Sequence, residues 1–316
     1  MRPIDTLADI DLPLPDPRVG KVRSSWQLPN DQRLFVTTDR LSAFDQIVAV
    51  VPFKGQVLNQ LAAWWFERTA DIIDNHVITL PDPNALIATE AKPLPVEVIV
   101  RGVITGVTDT SLWRQYAEGA RVVYGHHMPE GLKKNELLPE ALITPTTKGE
   151  AGSHDEPLSV SDVVERVIVS PEIWEQVCAA ALAVFARGQE IAADAGLILA
   201  DTKYEFGIAP DGRVMLIDEV HTPDSSRFWE AGSYEARMSK GEEPESLDKE
   251  LVRQALAAAG YRGNGPVPIL ESAVWEATSA RYRRAFERVT GTAFIPGATP
   301  ILPRLESNLR VAGVLQ

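Results

Sequence analysis

Short runs at period two fill the first hundred residues, and one helical stretch interrupts them. Ser24 to Leu28 and Arg33 to Thr38 flank a turn at Asn30-Asp31, and Ile47 to Pro52 forms a further short apolar strand. His76 to Leu80, Ala85 to Ala91 and Pro95 to Val100 follow as strands separated by Pro-rich turns. Between them, Val57, Leu58, Leu61, Ala62, Trp65 and Phe66 recur at helical spacing, predicting a helix from Gly55. Mostly antiparallel strands around one helix predict an α+β first domain. The Asp- and Pro-rich arm Met1 to Pro17 reads as extended, with a short helix near Thr6 to Ile10.

Beyond Gly102 the pattern becomes mixed. Thr108 or Ser111 caps a helix carrying Leu112, Trp113 and Tyr116. Tyr124 to Lys134 reads as loop, with His126 and His127 on its surface, and Leu138 to Lys148 as extended chain. Gly149 to Pro157 is a polar loop of a length that often serves function. Ser159 or Ser161 caps a short helix. Ser170-Pro171-Glu172 opens a long one, with Pro at the first helical position and Ile173, Val177, Ala181, Val184 and Phe185 as its buried stripe. Two more helices are expected at Asp248 to Ala259 and Pro268 to Val289, and a tail without clear period.

The most informative stretch is Gly196 to Trp229. Two apolar runs flank Pro210-Asp211-Gly212, a hairpin signal, and both become charged toward one end. Strand alternation puts Asp201, Lys203 and Glu205 on one face and Thr202, Tyr204 and Phe206 on the other. If Ile208 pairs with Arg213, Lys203 lies opposite Asp218; if a bulge shortens the loop by one residue, Glu219 takes that place. A solvated face with cross-strand ion pairs is the plain explanation. A magnesium site is the sharper one: Glu205 and Asp218 supply the one or two carboxylates that Mg2+ takes beside substrate phosphates. Thr222 to Arg227 adds hydroxyls and a guanidinium suited to an anionic substrate.

Composition narrows the class. The 316 residues are 45% hydrophobic, ample for a core, with a net charge of −13 and pI ≈ 4.9. No basic footprint for nucleic acid appears, and no apolar run reaches the ~18 residues of a membrane span. The N-terminus lacks a secretory signal pattern. The single cysteine, Cys178, reads as a small core residue and fits a reducing cytoplasm. The five histidines show no zinc spacing.

Ordered along the chain, Gly20 to Arg23, Thr38 to Asp45, Gly55 to Trp65, Val96 to Gly102, Leu138 to Lys148, His154-Asp155, Ala200 to Gly207 and Leu216 to Trp229 resemble the SAICAR synthetase family of purine biosynthesis. The resemblance implies a two-domain α+β fold. An antiparallel N-terminal nucleotide-binding domain (residues 1–101) would close a cleft against a larger α/β domain (102–316) that binds substrate and metal. It implies a cytoplasmic, monomeric or small homo-oligomeric ligase. That ligase uses ATP and Mg2+ to join L-aspartate to 5-amino-1-(5-phosphoribosyl)imidazole-4-carboxylate. A small-molecule kinase on a related fold is the alternative.

Carried onto this sequence, the resemblance puts Gly20, Lys21 and Arg23 over the ATP phosphates. It puts Glu97 and Ile99, within Glu97 to Val100, beside adenine, where backbone groups read its edge. Glu205 and Asp218 hold the metal. Asp201, Lys203 and Arg227 are the expected catalytic group, with Ser42, Arg101 and Ser226 also at the imidazole nucleotide. Lys148, His154 and Asp155 are expected near aspartate. Two positions depart from the family pattern: Ser24 stands where an acid is usual, and the longer Gly106 to Trp113 segment leaves Thr108 or Ser111 as the substrate hydroxyl, with Ser111 keeping the place before Trp113.

Overall fold

The computed structural model describes residues 5–44, 46–108, 110–148 and 156–316. The first sheet is antiparallel in the order β1-β2-β3-β7-β6, formed by β1 (Arg18–Val19), β2 (Arg23–Leu28), β3 (Gln32–Thr37), β6 (Val77–Asp82) and β7 (Ala85–Thr89). Between β3 and β6 come the hairpin β4 (Arg40–Ala43) and β5 (Gln46–Val50) and the helix α1 (Lys54–Arg68). Trp26, Leu34, Val36, Ala85 and Ile87 pack under a cover drawn from both chain ends, namely Leu7 and Leu12 of the arm and Ile301, Leu305 and Leu309 of α8 (Ile301–Val311).

Both ends of the chain differ from expectation. No helix forms near Thr6 to Ile10, because the Leu7 N–H donates to Asp39 Oδ2 at 2.8 Å and pins the arm to the sheet. The tail is helical after all. Its apolar stripe recurs every fourth residue, and Pro303 falls in the first turn, where a missing N–H costs little.

The second sheet has the order β11-β8-β13-β14, with β12 also on β8 and β15 also on β13. Its strands are β8 (Lys92–Ile104), β11 (Glu136–Ile143), β12 (Thr146–Thr147), β13 (Leu197–Ile208), β14 (Val214–Ile217) and β15 (Ser226–Glu230). The pairings of this sheet are antiparallel throughout. The chain crosses from first sheet to second at residues 90–91, so the boundary expected at residue 101 falls inside β8.

Between β8 and β11 lie α2 (Leu112–Ala117) and a small ladder of β9 (Val122–Val123) with β10 (His126–His127). After β12 come α3 (Val160–Glu165), whose capping box is built on Ser159, and α4 (Pro171–Asp194). Val98, Val100, Tyr204 and Phe206 face α4, where Val177, Ala181, Val184 and Phe185 complete the main core. Cys178 is half-buried on α4, and burial pushes its thiol up to about 11. The remaining helices are α5 (Ala231–Met238), within what reads as polar sequence, α6 (Glu250–Ala258) and α7 (Ser272–Thr290). Among the described residues no helix is long and apolar enough to cross a membrane.

Candidate functional site

The face of the second sheet turned away from α4 carries the charges. β13 pairs with β8 so that Asp201 meets Arg101, Lys203 meets Ile99 and Glu205 meets Glu97, and Asp201 also meets Arg227 on β15. Alternation then sends these odd-numbered side chains into one cleft while Thr202, Tyr204 and Phe206 enter the core.

At one end of this face Arg101 and Arg227 share Asp201. Arg227 pairs directly with its carboxylate, and Arg101 Nη1 stands 3.5 Å from it. Arg101 Nε also donates to Thr144 Oγ1 at 2.8 Å. Gly106, at φ 93, passes against Ser111, and Arg227 Nη2 lies on the same side. A side chain at Gly106 would collide with Ser111, so glycine is required there both for space and for conformation. Ser111 is buried and its hydroxyl donates to the Thr108 carbonyl at 2.5 Å, whereas Thr108 itself is exposed. Ser111 is therefore the hydroxyl beside the arginines.

At the other end, Lys203 Nζ lies 2.6 Å from Glu205 and 3.0 Å from Glu97, and Lys148 also pairs with Glu205. Burial works against the Lys203 ammonium, but Glu205, Glu97 and Asp218 outweigh it and hold the group firmly protonated. Burial would raise the Glu205 carboxyl, yet Lys203 and Lys148 bring it down to about 2. Gly20 and Lys21 form the exposed turn between β1 and β2, closed by the Gly20 N–H donating to Arg23 O at 2.7 Å. Arg23 reaches over to pair with Asp218 and, at 3.1 Å, with Glu219. The first sheet thus touches the second at its acids. Ser24, buried on β2 opposite Val36, follows directly.

Three expectations change. The hairpin is shifted by one: Ile208 pairs with Val214, not Arg213. Ala209 to Arg213 separate the paired Ile208 and Val214, so the loop is longer by one residue, not shorter; the Ala209 N–H donates to Arg213 O, and Gly212 takes φ 88. The ladder ends at Glu205–Ile217, because Asp218 turns away at φ 67, and both Asp218 and Glu219 face Arg23 rather than Lys203. Second, Ser226 pairs with Thr202 and its hydroxyl lies 2.7 Å from that of Thr202, on the face opposite Arg227. Adjacent strand residues cannot both point into the cleft, so the Ser226 side chain is structural. Third, Glu97 and Ile99 lie on an interior strand paired with β13 on one side and bonded to the β12 segment on the other. Their backbone has no open edge for a base, and only their side chains are on the cleft face.

An open groove lies instead where the chain crosses between sheets. A cavity of about 600 Å³ is lined by Arg18, Ala91, Pro93, Ile208 and Pro210 among others. It lies three residues of β13, roughly 10 Å of strand, from Glu205. Ser42 is half-buried on β4, opposite Ile47, in the hairpin that follows the loop bonded to the β1–β2 turn. His154 and Asp155 lie outside the described residues.

Sequence reasoning missed a second cluster beneath the Asp218–Arg227 loop. Lys54, fully buried at the start of α1, pairs with Asp224 at 2.7 Å, and Tyr282 donates to the same carboxylate at 2.5 Å. Burial would raise the Asp224 carboxyl, but Lys54 and Lys249 lower it to about 2. Asp248, 1% exposed and close to Arg227, is pushed up to about 6 by burial and by Glu250. Its Oδ2 has no hydrogen-bond partner. The one sequence signal was a lysine inside an otherwise apolar approach to a helix, Val51-Pro-Phe-Lys54-Gly55.

Among the described residues the cleft offers carboxylates as metal donors, and no three acids, histidines or cysteines gather there as a metal cage. That donor set fits a hard cation held by one or two carboxylates and completed by a ligand's phosphates.

Residues 17–267 match the SAICAR synthetase family profile. A phosphoribosylaminoimidazole-succinocarboxamide synthase of Legionella pneumophila is 44% identical over 93% of this chain and 94% of its own. Its counterpart in Bacteroides fragilis is 43% identical over 92% of each. The SAICAR synthase of Saccharomyces cerevisiae, solved with SAICAR, superposes with a TM-score of 0.79 at 32% identity, covering 92% of this chain and 100% of that one.

Proposed function

The chain belongs to the SAICAR synthetase family, and from that premise we propose that the cleft between its two sheets holds the reactants of that family's ligation in the order set out below. The enzyme is an ATP-dependent ligase of purine biosynthesis. It joins L-aspartate to 5-amino-1-(5-phospho-D-ribosyl)imidazole-4-carboxylate, giving the succinocarboxamide, ADP and phosphate. A small-molecule kinase, the other reading of the same charges, is not favoured by this membership.

One observation carries the arrangement: a single sheet face with paired arginines at one end and a lysine–acid network at the other. Asp201 and Glu205 are four residues apart on β13, roughly 13 Å of strand. A ribonucleotide lying lengthwise along it puts its phosphate on Arg101, Arg227 and Ser111. Its imidazole carboxylate then reaches Lys203, beside the acids. Planar guanidiniums suit the phosphate because each presents paired donors. Asp201, shared by both, keeps the two cations together before the anion arrives.

The adenine of ATP fits the groove at Ala91, Pro93, Ile208 and Pro210. The β1–β2 turn then covers the phosphates with Gly20, Lys21 and Arg23. Glu205 and Asp218 are the residues that would hold Mg2+, which neutralises phosphate charge when bound. Arg23, Lys148 and Lys203, now paired with these acids, are positioned to turn to the transferring phosphoryl group. Phosphoryl transfer depends on such positioning and charge neutralisation, not on a protein nucleophile. The substrate carboxylate attacks the γ-phosphorus and ADP leaves. The aspartate amine then attacks the acyl phosphate carbon, expelling inorganic phosphate. The reading also takes the enzyme to be cytoplasmic, where Cys178 stays a thiol.

The test is positional isotope transfer. With oxygen-18 in the imidazole carboxylate, one labelled oxygen is expected in each phosphate released. Unlabelled phosphate refutes carboxylate phosphorylation.

A further inference from the structure

The cations of the cleft are almost all neutralised by the protein itself. Arg23 faces Asp218 and Glu219, Lys203 faces Glu97 and Glu205, Lys148 faces Glu205, Arg101 and Arg227 share Asp201, and Lys54 faces Asp224. Lys249 is the exception. It is partly buried at the N-cap of α6, and among the described residues its ammonium closes no ion pair and no side-chain hydrogen bond.

Its surroundings are charged, yet among the described residues no carboxylate stands within ion-pair distance of it. Asp224, on the loop before β15, attracts it, while the oxygens of Asp224 face Lys54 of α1 and Tyr282 of α7. Arg253 of α6 and Lys54 repel it, and Glu219 attracts it from farther along the loop. Glu250 of α6 is engaged with Arg253 at 3.5 Å. Burial brings the ammonium down to about 8, as expected for a cation short of negative charge.

The segment leading to Lys249 runs along β15, where the Leu247 N–H donates to Phe228 O at 2.9 Å, next to Arg227. Glu219 adjoins Asp218 at the phosphoryl end, and the neighbouring Asp248 lies close to Arg227 at the other. Resting on the functional reading above, we propose that Lys249 binds a carboxylate of the amino-acid co-substrate, L-aspartate. The other anionic groups of the reaction already have places: the nucleotide phosphate at Arg101 and Arg227, its carboxylate at Lys203, and the ATP phosphates under the β1–β2 turn. The two carboxylates of aspartate remain, and Lys249 is the cation left for one of them. An anion held there, on the side of Glu219, brings the amine toward the Lys203 end of the nucleotide, where the activated carbon lies.

The experiment compares wild-type enzyme with Lys249→Met, Lys249→Gln and Lys249→Arg in steady-state assays that vary each substrate in turn. Lys249→Met and Lys249→Gln are expected to raise KM for L-aspartate about 10- to 100-fold, the worth of one charge-assisted hydrogen bond. KM for the imidazole nucleotide and for ATP stays within about twofold, and Lys249→Arg recovers part of the loss. L-asparagine and isoasparagine, which each lack one carboxylate, add a readout that a merely structural lysine would not move. The wild type's preference for L-aspartate over one of these two collapses in Lys249→Met.

An unchanged KM for aspartate, or an equal rise for the nucleotide, overturns the assignment while leaving the ligase reading intact. Failure of the wild type to form succinocarboxamide overturns the ligase reading and this assignment with it. Thermal melts check that the variants fold; Lys249→Gln, the smaller change, decides if Lys249→Met does not.

Discussion

Arg227→Lys separates the two ends of the sheet face. In the structure Arg227 pairs with the buried Asp201 through one nitrogen and presents Nη2 toward the Gly106 turn and Ser111. A guanidinium does both at once; an ammonium, a compact point charge on a shorter reach, does not. Asp201 is 4% exposed and shared with Arg101, so the lysine stays with Asp201 and the anion loses its donor. A hydrogen bond between charged groups is worth about 1.5–3 kcal/mol, which converts to about 10- to 150-fold in affinity. KM for the imidazole nucleotide is therefore expected to rise by that factor. KM for ATP, which the proposed arrangement places at the far end of β13, is expected to change less than about threefold. The assay is initial-rate kinetics with each substrate varied at saturation of the others, alongside a thermal melt to confirm folding. Equal losses for both substrates, or an unchanged nucleotide KM, would refute the placement of the phosphate at Arg101 and Arg227.

Glu205→Gln and Asp218→Asn should each lower turnover by orders of magnitude with the fold retained, since each removes a carboxylate from the proposed magnesium-nucleotide site; near-normal rates at low magnesium in both variants remove the metal assignment. Asp248→Asn should stabilise the protein at pH 8 but not at pH 3. Its carboxyl rises from 3.8 to about 6 on folding, so the folded state binds more protons between those values and stability falls as pH climbs through them. Two units correspond to about 3 kcal/mol as an upper figure above pH 6, and a melting temperature that does not rise at pH 8 contradicts the buried, unpartnered Oδ2. Gly188→Ala should destabilise even though alanine favours helix by about 1 kcal/mol. The new Cβ on α4 would overlap the ring of His221, which is fully buried, packed edge-on to Trp65 and hydrogen-bonded to Tyr204. Overpacking of this kind costs about 1–3 kcal/mol, read as a lowered melting temperature; a raised one refutes the close approach.

Alternation along Ala200 to Glu205 told, from sequence alone, which residues share the charged face and which enter the core, because the period of a strand is fixed by its backbone. Helix α4 was legible for a similar reason: Ser170-Pro171 starts it, and its stripe runs uninterrupted. Helix α8 was not, since Pro296, Pro300 and Pro303 masked a stripe of only three residues whose partner sheet lies almost a whole chain length away.

Relations between segments needed the fold. Whether Asp218 or Glu219 opposes Lys203 hung on the length of the loop around Gly212, and in the event neither does, because Asp218 leaves the ladder and faces Arg23 across the cleft. Ser226 belonged to the right motif, yet pairing with Thr202 turned its side chain inward. The partnership of Lys54 with Asp224 and Tyr282 joins three elements far apart in sequence, and the isolation of Lys249 depends on where those neighbours face. Period and propensity act over a few residues, so sequence could determine faces and caps. Charge balance in a cleft depends on distances that only packing sets.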